Sequence, residues 1–206
     1  FLNGDYHPDP GWRDYGHQVW SFYTLDRRST LDYWLLKIAE AKSRPDVDLV
    51  VVMPHKGIEN DHSVRNFQRS QYYRMVEAGA DVIVAHHPHV IQQMEKHLTS
   101  DGREAFVIYS IGDFVAPPTN EDYRAGAILY LEIVKNEGGA KISGVSYVPT
   151  YIMYEYREDA GGEVLWPVAM DRTGGFDYQR RIVTDILGEG NIQPPDEPLH
   201  FPKACE

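Results

Sequence analysis

Val47-Asp48-Leu49-Val50-Val51-Val52-Met53 runs directly into Pro54-His55-Lys56-Gly57-Ile58-Glu59. A short β-branched, apolar run that opens into a polar loop is the pattern of a strand buried on both faces, as in parallel sheets. The pattern recurs at Ala80-Asp81-Val82-Ile83-Val84-Ala85, which ends in His86-His87-Pro88-His89, and at Ala105 to Ile111, which ends in Gly112-Asp113-Phe114. Three strand ends thus converge on one edge of a sheet, the edge where α/β folds place their ligands. Helical periodicity precedes and separates the first two strands. Ser29-Thr30-Leu31-Asp32 is a capping box with Asp in place of Glu. With Leu31, Trp34, Leu35, Ile38 and Ala39 it predicts an amphipathic helix over 29–43, ended by Pro45. Phe67, Tyr72, Met75 and Val76 predict a second helix over 64–78, stopped by Gly79.

Beyond residue 125 the pattern changes. Residues 126–134 and 140–149 read as strands of a hairpin turning at Asn136-Glu137-Gly138-Gly139, 163–168 as a further strand, and 177–187 as a last helix. Residues 1–28 are rich in Gly, Pro, Asp and aromatic rings and read as an ordered loop, and the Pro-rich stretch from Gln193 reads as an extended tail. Phe1-Leu2-Asn3-Gly4 resembles the end of an apolar strand, so further residues are expected before it.

The 206 residues suffice for one domain with a core. Thirty-one acidic against twenty basic side chains give a formal charge of −11. Such a charge repels nucleic acid and anionic lipid unless bound cations or a local basic patch reverse the sign, so nucleic acid is not an expected partner. The longest apolar run, Leu49 to Met53, is far below the ~20 residues of a spanning helix, and no membrane span is expected in this chain. The single cysteine, Cys205, excludes a disulfide framework and a Cys-based zinc site.

His55, His86, His87 and His89 fall at two strand ends, and neutral imidazole is a preferred ligand of zinc, manganese and iron. In an extended turn His87 and His89 project to the same side, as alternate residues do, with His55 arriving from the neighbouring strand. Glu59 and Asp113 are the carboxylates at the right strand ends, each a candidate ligand, a partner that orients a histidine, or a general base. The isolated His7, His17, His62, His97 and His200 read as structural. No Gly-rich phosphate loop and no Gly-x-Ser-x-Gly turn is present, and Ser110 ends a strand without the helix that a nucleophile turn requires.

These stretches, together with Gln68, Glu77-Ala78-Gly79, Glu95 and Tyr109-Ser110-Ile111-Gly112-Asp113-Phe114-Val115, resemble the bacterial capsule-synthesis CapA proteins linked to poly-γ-glutamate. The resemblance is close over 46–116 and looser over 1–185. His55 and Glu59 match the family's His-Trp-Gly-x-Glu motif. His86, His87 and His89 match its Gly-His-His-Pro-His motif, and Ser110, Gly112 and Asp113 its Tyr-Ser-Leu-Gly-Asn-Phe motif. Lys56 stands where the family has Trp, Ala85 where it has Gly and Asp113 where it has Asn, which changes the wall and charge of the site. The family's early Gly-Asp and Asn-His segments have no counterpart here, and Gly4-Asp5 reads as a turn.

That family is similar to the calcineurin-like metallophosphoesterases. The resemblance implies an α/β fold, the C-terminal part of a metallophosphoesterase-like α/β/β/α sandwich. Residues 1–190 would form the C-terminal portion of one CapA-like domain and 191–206 a tail, with an upstream segment or a second chain completing the core. It implies one or two divalent ions (Mn, Zn or Fe) held by His55, His87 and His89. Glu59 and His86 would handle protons, and Lys56, Ser110, Asp113 and Glu95 would support the site or bind substrate. Two functions follow as expectations. One is a role in capsular poly-γ-glutamate synthesis or export, outside the cytoplasm or at the cell surface, with an anionic polymer as partner. The other is a metal-dependent hydrolase unrelated to capsule, a phosphoesterase acting on a phosphorylated small substrate or an enzyme that cleaves polyglutamate. The residues alone leave catalysis open.

Overall fold

The computed structural model describes residues 29–116, 120–137, 139–170 and 175–192. The loop expected over 1–28, including Gly4-Asp5 and the strand-like start at Phe1, lies outside the described residues, as does the tail from Gln193. The elements are α1 (Ser29–Lys42), β1 (Val51–Val52), α2 (Asn66–Glu77), β2 (Val82–Val84), β3 (Ile91–Leu98), β4 (Glu104–Ile111), β5 (Ala125–Asn136), β6 (Gly139–Arg157), β7 (Gly162–Ala169) and α3 (Asp177–Leu187). They build two sheets. The first has the order β1-β2-β4-β3, and the second the order β5-β6-β7. β1, β2 and β4 are parallel and β3 runs antiparallel to β4, whereas the second sheet is antiparallel throughout.

Strand β4 shows why an unbroken apolar run belongs here. Ala105, Val107 and Tyr109 pack with Ile38 of α1 and Tyr72, Met75 and Val76 of α2 in one apolar cluster. Phe106 and Ile108 point the other way, into a second cluster with Ala125 and Ala127 of β5, Tyr147 and Tyr151 of β6, and Val183 and Leu187 of α3. With period-two alternation and a core on each face, both sets of side chains must be apolar. Each fully buried side chain of this size contributes about 1.5–3 kcal/mol. The α/β class expected from the sequence holds, with α1 and α2 on one face of the first sheet and the second sheet with α3 on the other.

Three elements differ from expectation. The run from Val47 to Met53 yields a ladder of only two residues, starting after Val50, whose carbonyl bonds to β2 but whose N–H does not. Its N–H donates to the Asp81 carboxylate at 2.8 Å, and its carbonyl accepts from the Asp81 and Val82 amides. β3 has no sequence signal: Ile91-Gln92-Gln93-Met94-Glu95-Lys96-His97-Leu98 is mostly polar, and only pairing with β4 from Ile91↔Ile111 to Leu98↔Glu104 makes it a strand. β6 runs on past the expected end at Pro149 to Arg157, 19 residues in all, since its first part pairs with β5 and its last with β7. Proline reads as a strand terminator because it cannot donate to a ladder, and tertiary pairing overrides that signal here.

Candidate metal centre

Just beyond the β1–β2 ladder, His55 and His86 form a single parallel bridge. Lys56 N–H donates to the His86 carbonyl and His86 N–H to the Pro54 carbonyl, both at 2.9 Å, and Asn60 N–H donates to the Pro88 carbonyl at 2.8 Å. The two loops are thereby zipped together, and the approach is close: a Cβ at Gly57 would come within 2.7 Å of Pro88 Cγ. Glu59 is carried across the face of the His-Pro-His segment as a consequence.

His87 and His89 both adopt positive φ, 102° and 62°. L-residues avoid this region, and each such residue costs about 1–3 kcal/mol that the surrounding structure must offset. The expectation of an extended turn is therefore corrected. The two rings converge because both residues turn left-handed, and not by simple alternation. Glu59, His87 and His89 each offer a ligand atom, and these atoms all lie within 4.8 Å of one another. His55 meets His87 edge to face with ring centroids 4.9 Å apart, and the His87 and His89 centroids are 6.1 Å apart. His55 thus borders the trio rather than joining it.

Asp113 fixes the orientation of His89. Its two oxygens lie 3.1 Å from His89 Nδ1, and a carboxylate can only accept, so the ring carries its proton on Nδ1 and keeps the Nε2 lone pair for a ligand. Asp113 is delivered by two glycines. Gly112 has φ 69° and bridges to Gly126 of β5. A Cβ on Gly112 would meet the Ala125 carbonyl at 2.5 Å, and one on Gly126 would meet the Asp113 carbonyl at 2.3 Å. Only glycine at both positions lets the two sheets approach this closely beside the site.

Burial lowers the His55 pKa from 6.5 to about 4, with His87, His86 and His89 adding to the effect. Burial also lowers that of His86, against an opposing pull from Asp113. Both rings are therefore neutral at pH 7, the state in which imidazole donates a lone pair. Two imidazoles and a carboxylate suit zinc, manganese or iron, and three donors leave further coordination positions open. Glu59, His87 and His89 pass this test as a set of side chains able to hold a divalent ion.

The other expected residues are placed as follows. Ser110 is buried, and its Oγ accepts from the Gly112 N–H at 3.3 Å, bracing the turn that carries Asp113. Lys56 is partly buried in the loop, with its carbonyl accepting from the Tyr72 hydroxyl at 3.1 Å. Glu95 lies four residues along β3 from the edge strand's start at Ile91, within a cluster of its own. It pairs with Arg69 at 3.0 Å and accepts from the hydroxyls of Tyr73 and Tyr109. His62 donates from Nδ1 to the Ile91 carbonyl, while His97 donates to Glu77 and stacks on Tyr73, structural roles as expected. His7, His17 and His200 lie outside the described residues. Sequence reasoning passed over Gln92 and gave Gln68 no role, although both are fully buried. One signal was available: Gln68 shares the buried face of α2 with Tyr72, Met75 and Val76, where a polar residue requires a reason.

Fold and site together define an α/β protein with a histidine–carboxylate cluster at the ligand edge of a largely parallel sheet. Residues 5–118 match the family described as Bacterial capsule synthesis protein PGA_cap. This is more than half of the chain, and the chain belongs to that family. It is 40% identical over 86 residues to a Capsule biosynthesis protein CapA of Bacillus anthracis, covering 41% of this chain and 20% of that protein. It is 36% identical over 102 residues to a PGA biosynthesis protein CapA of Bacillus subtilis (strain 168), covering 50% of this chain and 25% of that protein. The matched stretches therefore span a fifth to a quarter of those relatives. Among the described residues no helix is long and apolar enough to cross a membrane.

Proposed function

We propose that the chain serves the synthesis or export of capsular poly-γ-glutamate at the cell surface, through a divalent-metal site at the strand-end edge of its first sheet. The observation that carries this reading is the convergence of Glu59, His87 and His89 within 4.8 Å, in a chain of a capsule-synthesis family. Glu59, His87 and His89 Nε2 would hold the ion, with His55 beside them as a donor to the same or a neighbouring ion. Residues outside the described ones, an upstream segment or a second chain would complete the donor set. When bound, a cation here supplies Lewis acidity toward a phosphoryl or acyl oxygen. Its charge also draws an anionic polymer to a protein that carries −11 overall, with Lys56 adding a local positive charge. Asp113 holds His89 in one tautomer, Ser110 braces the turn, and His86, kept neutral by burial, would take up or release a proton.

The exposure of Glu59 favours a second reading, a metal-dependent hydrolase of phosphoesters or polyglutamate unrelated to capsule. An exposed carboxylate at the rim of an imidazole cluster suits a general base. Elemental analysis of the purified protein is the first test. The expected result is a bound first-row transition metal, and neither metal content nor uptake on titration would remove the site from both readings. Glu59→Gln then separates them. Hydrolysis reduced by ~10²–10⁴-fold with metal retained identifies a base in a hydrolase. Loss of metal identifies Glu59 as a ligand. Polymer binding without hydrolysis of either substrate class by the wild-type protein supports the capsule role alone.

A further inference from the structure

Glu59 sits in the middle of a loop that is gripped at both ends by side chains distant in sequence. At the near end the Lys56 carbonyl accepts from Gln68 Nε2 at 3.4 Å and from the Tyr72 hydroxyl at 3.1 Å. At the far end Gln92 Nε2 donates to the Asp61 carbonyl at 2.7 Å and to the Ser63 carbonyl at 3.3 Å. His62, between those two, donates from Nδ1 to the carbonyl of Ile91, next to Gln92. The two glutamines are joined, since Gln68 Nε2 donates to Gln92 Oε1 at 2.9 Å. Both are fully buried, one on α2 and one on β3. Gln68 also reaches the Tyr109 carbonyl of β4 at 3.4 Å.

We propose that Gln68 and Gln92 are positioning residues for the metal centre: a buried amide pair that clamps the 56–63 loop and so sets Glu59 against His87 and His89. A loop of this length has many conformations, and backbone bonds to the His-Pro-His segment hold only Lys56 and Asn60. The pair is suited to the task because Gln92 accepts from Gln68 while donating to the loop, which an apolar residue cannot do, whereas Gln68 acts as donor alone, its buried Oε1 having no partner among the described residues. Burial excludes water that would otherwise compete for the same carbonyls. Gln92 serves the 61–63 end and Gln68 the 56 end, so the pair couples both ends to α2, β3 and β4 together. The inference rests on the metal-site reading, and groups that orient a ligand typically govern affinity by about 10–100-fold.

The test uses Gln92→Met, which keeps length but donates nothing, in the purified protein with Co²⁺ as probe. Affinity is expected to fall ~10–100-fold. Because the effect acts through Glu59, it should not multiply with the loss in Glu59→Gln, and the double variant should bind about as Glu59→Gln alone does. Independent, multiplying losses, or a Gln92→Met affinity equal to wild type, would overturn the proposal. Amide hydrogen exchange of the metal-free protein supplies a second readout that needs no metal. Faster exchange at 58–63 with β4 unchanged supports the clamp even if wild type takes up no Co²⁺, whereas unchanged exchange at 58–63 rejects it. If Gln92→Met fails to fold, Gln92→Glu retains the acceptor for Gln68 while losing both donations to the loop, and the same outcomes decide.

Discussion

The first sheet has two edges of opposite character. At the edge where β2 and β4 begin, the Asp81 carboxylate is saturated. Lys42 Nζ donates to both its oxygens at 2.8 Å, the Val50 amide donates at 2.8 Å, and Arg103 lies at 3.5 Å. Arg103 in turn holds Asp101 and the Val76 carbonyl. At the edge where the same strands end, the groups brought together are lone-pair donors, Glu59, His87 and His89, and two of them stand on left-handed backbone. One edge contributes stability because each charge has met its partner. The other stores strain and unspent donor capacity, the pattern of a site built to receive something.

The sharpest way to break this comparison is to alter each edge and read both properties. His89→Ala should lower divalent-metal affinity on the order of 10³-fold, since one of three donors is gone, while the metal-free protein unfolds within about 1 kcal/mol of wild type. Metal titration and urea unfolding of the same variant check this, and a large stability loss would show that the ligand edge also carries the fold. Asp81→Ala should do the reverse. Leaving Lys42, Arg103 and the Val50 amide without their acceptor should cost about 3–5 kcal/mol in urea unfolding, with metal affinity unchanged. An equal loss of affinity would mean that the two edges are coupled through the strands.

Asp113→Ala addresses the supporting shell of the ligand edge. Freed from its tautomer, His89 should bind metal ~10–100-fold more weakly, a loss that titration at pH 7 would detect. A further expected effect is in pH. Unfolded chain takes up a proton on His55 near its ordinary 6.5, while the folded protein resists until about 4. Stability of the metal-free protein should therefore decline as pH falls through that window and level off below it. Asp101 acts in the same direction in a lower window. The Thr99 hydroxyl, followed by Arg103, pulls it from 3.8 to about 2, so its contribution persists down to 3.8 and is lost between there and about 2. Urea midpoints from pH 7 to 2 should show two separate declines, the first flattened in His55→Asn and the second in Asp101→Asn.

By itself the sequence determined that buried parallel strands exist and that candidate ligands cluster at their ends. The apolar runs at 80–85 and 105–111 and the four histidines are local signals, written in residues next to one another, and the three motifs sufficed for the capsule-synthesis resemblance. Tertiary structure decided the rest, because pairing between distant segments can override local preference. β3 is a strand only against β4, β6 passes through Pro149 because β5 and β7 flank it, and the Val50 N–H goes to the carboxylate of Asp81. The same holds at the site. Nothing adjacent to His87 or His89 signals positive φ. Their geometry follows from bonds across to residues 54, 56 and 60, and from an Asp113 that reaches His89 only because Gly112 and Gly126 let two sheets meet without a Cβ between them. Which residues could bind was legible in the chain. Where their lone pairs converge was set by contacts between segments that the chain holds far apart.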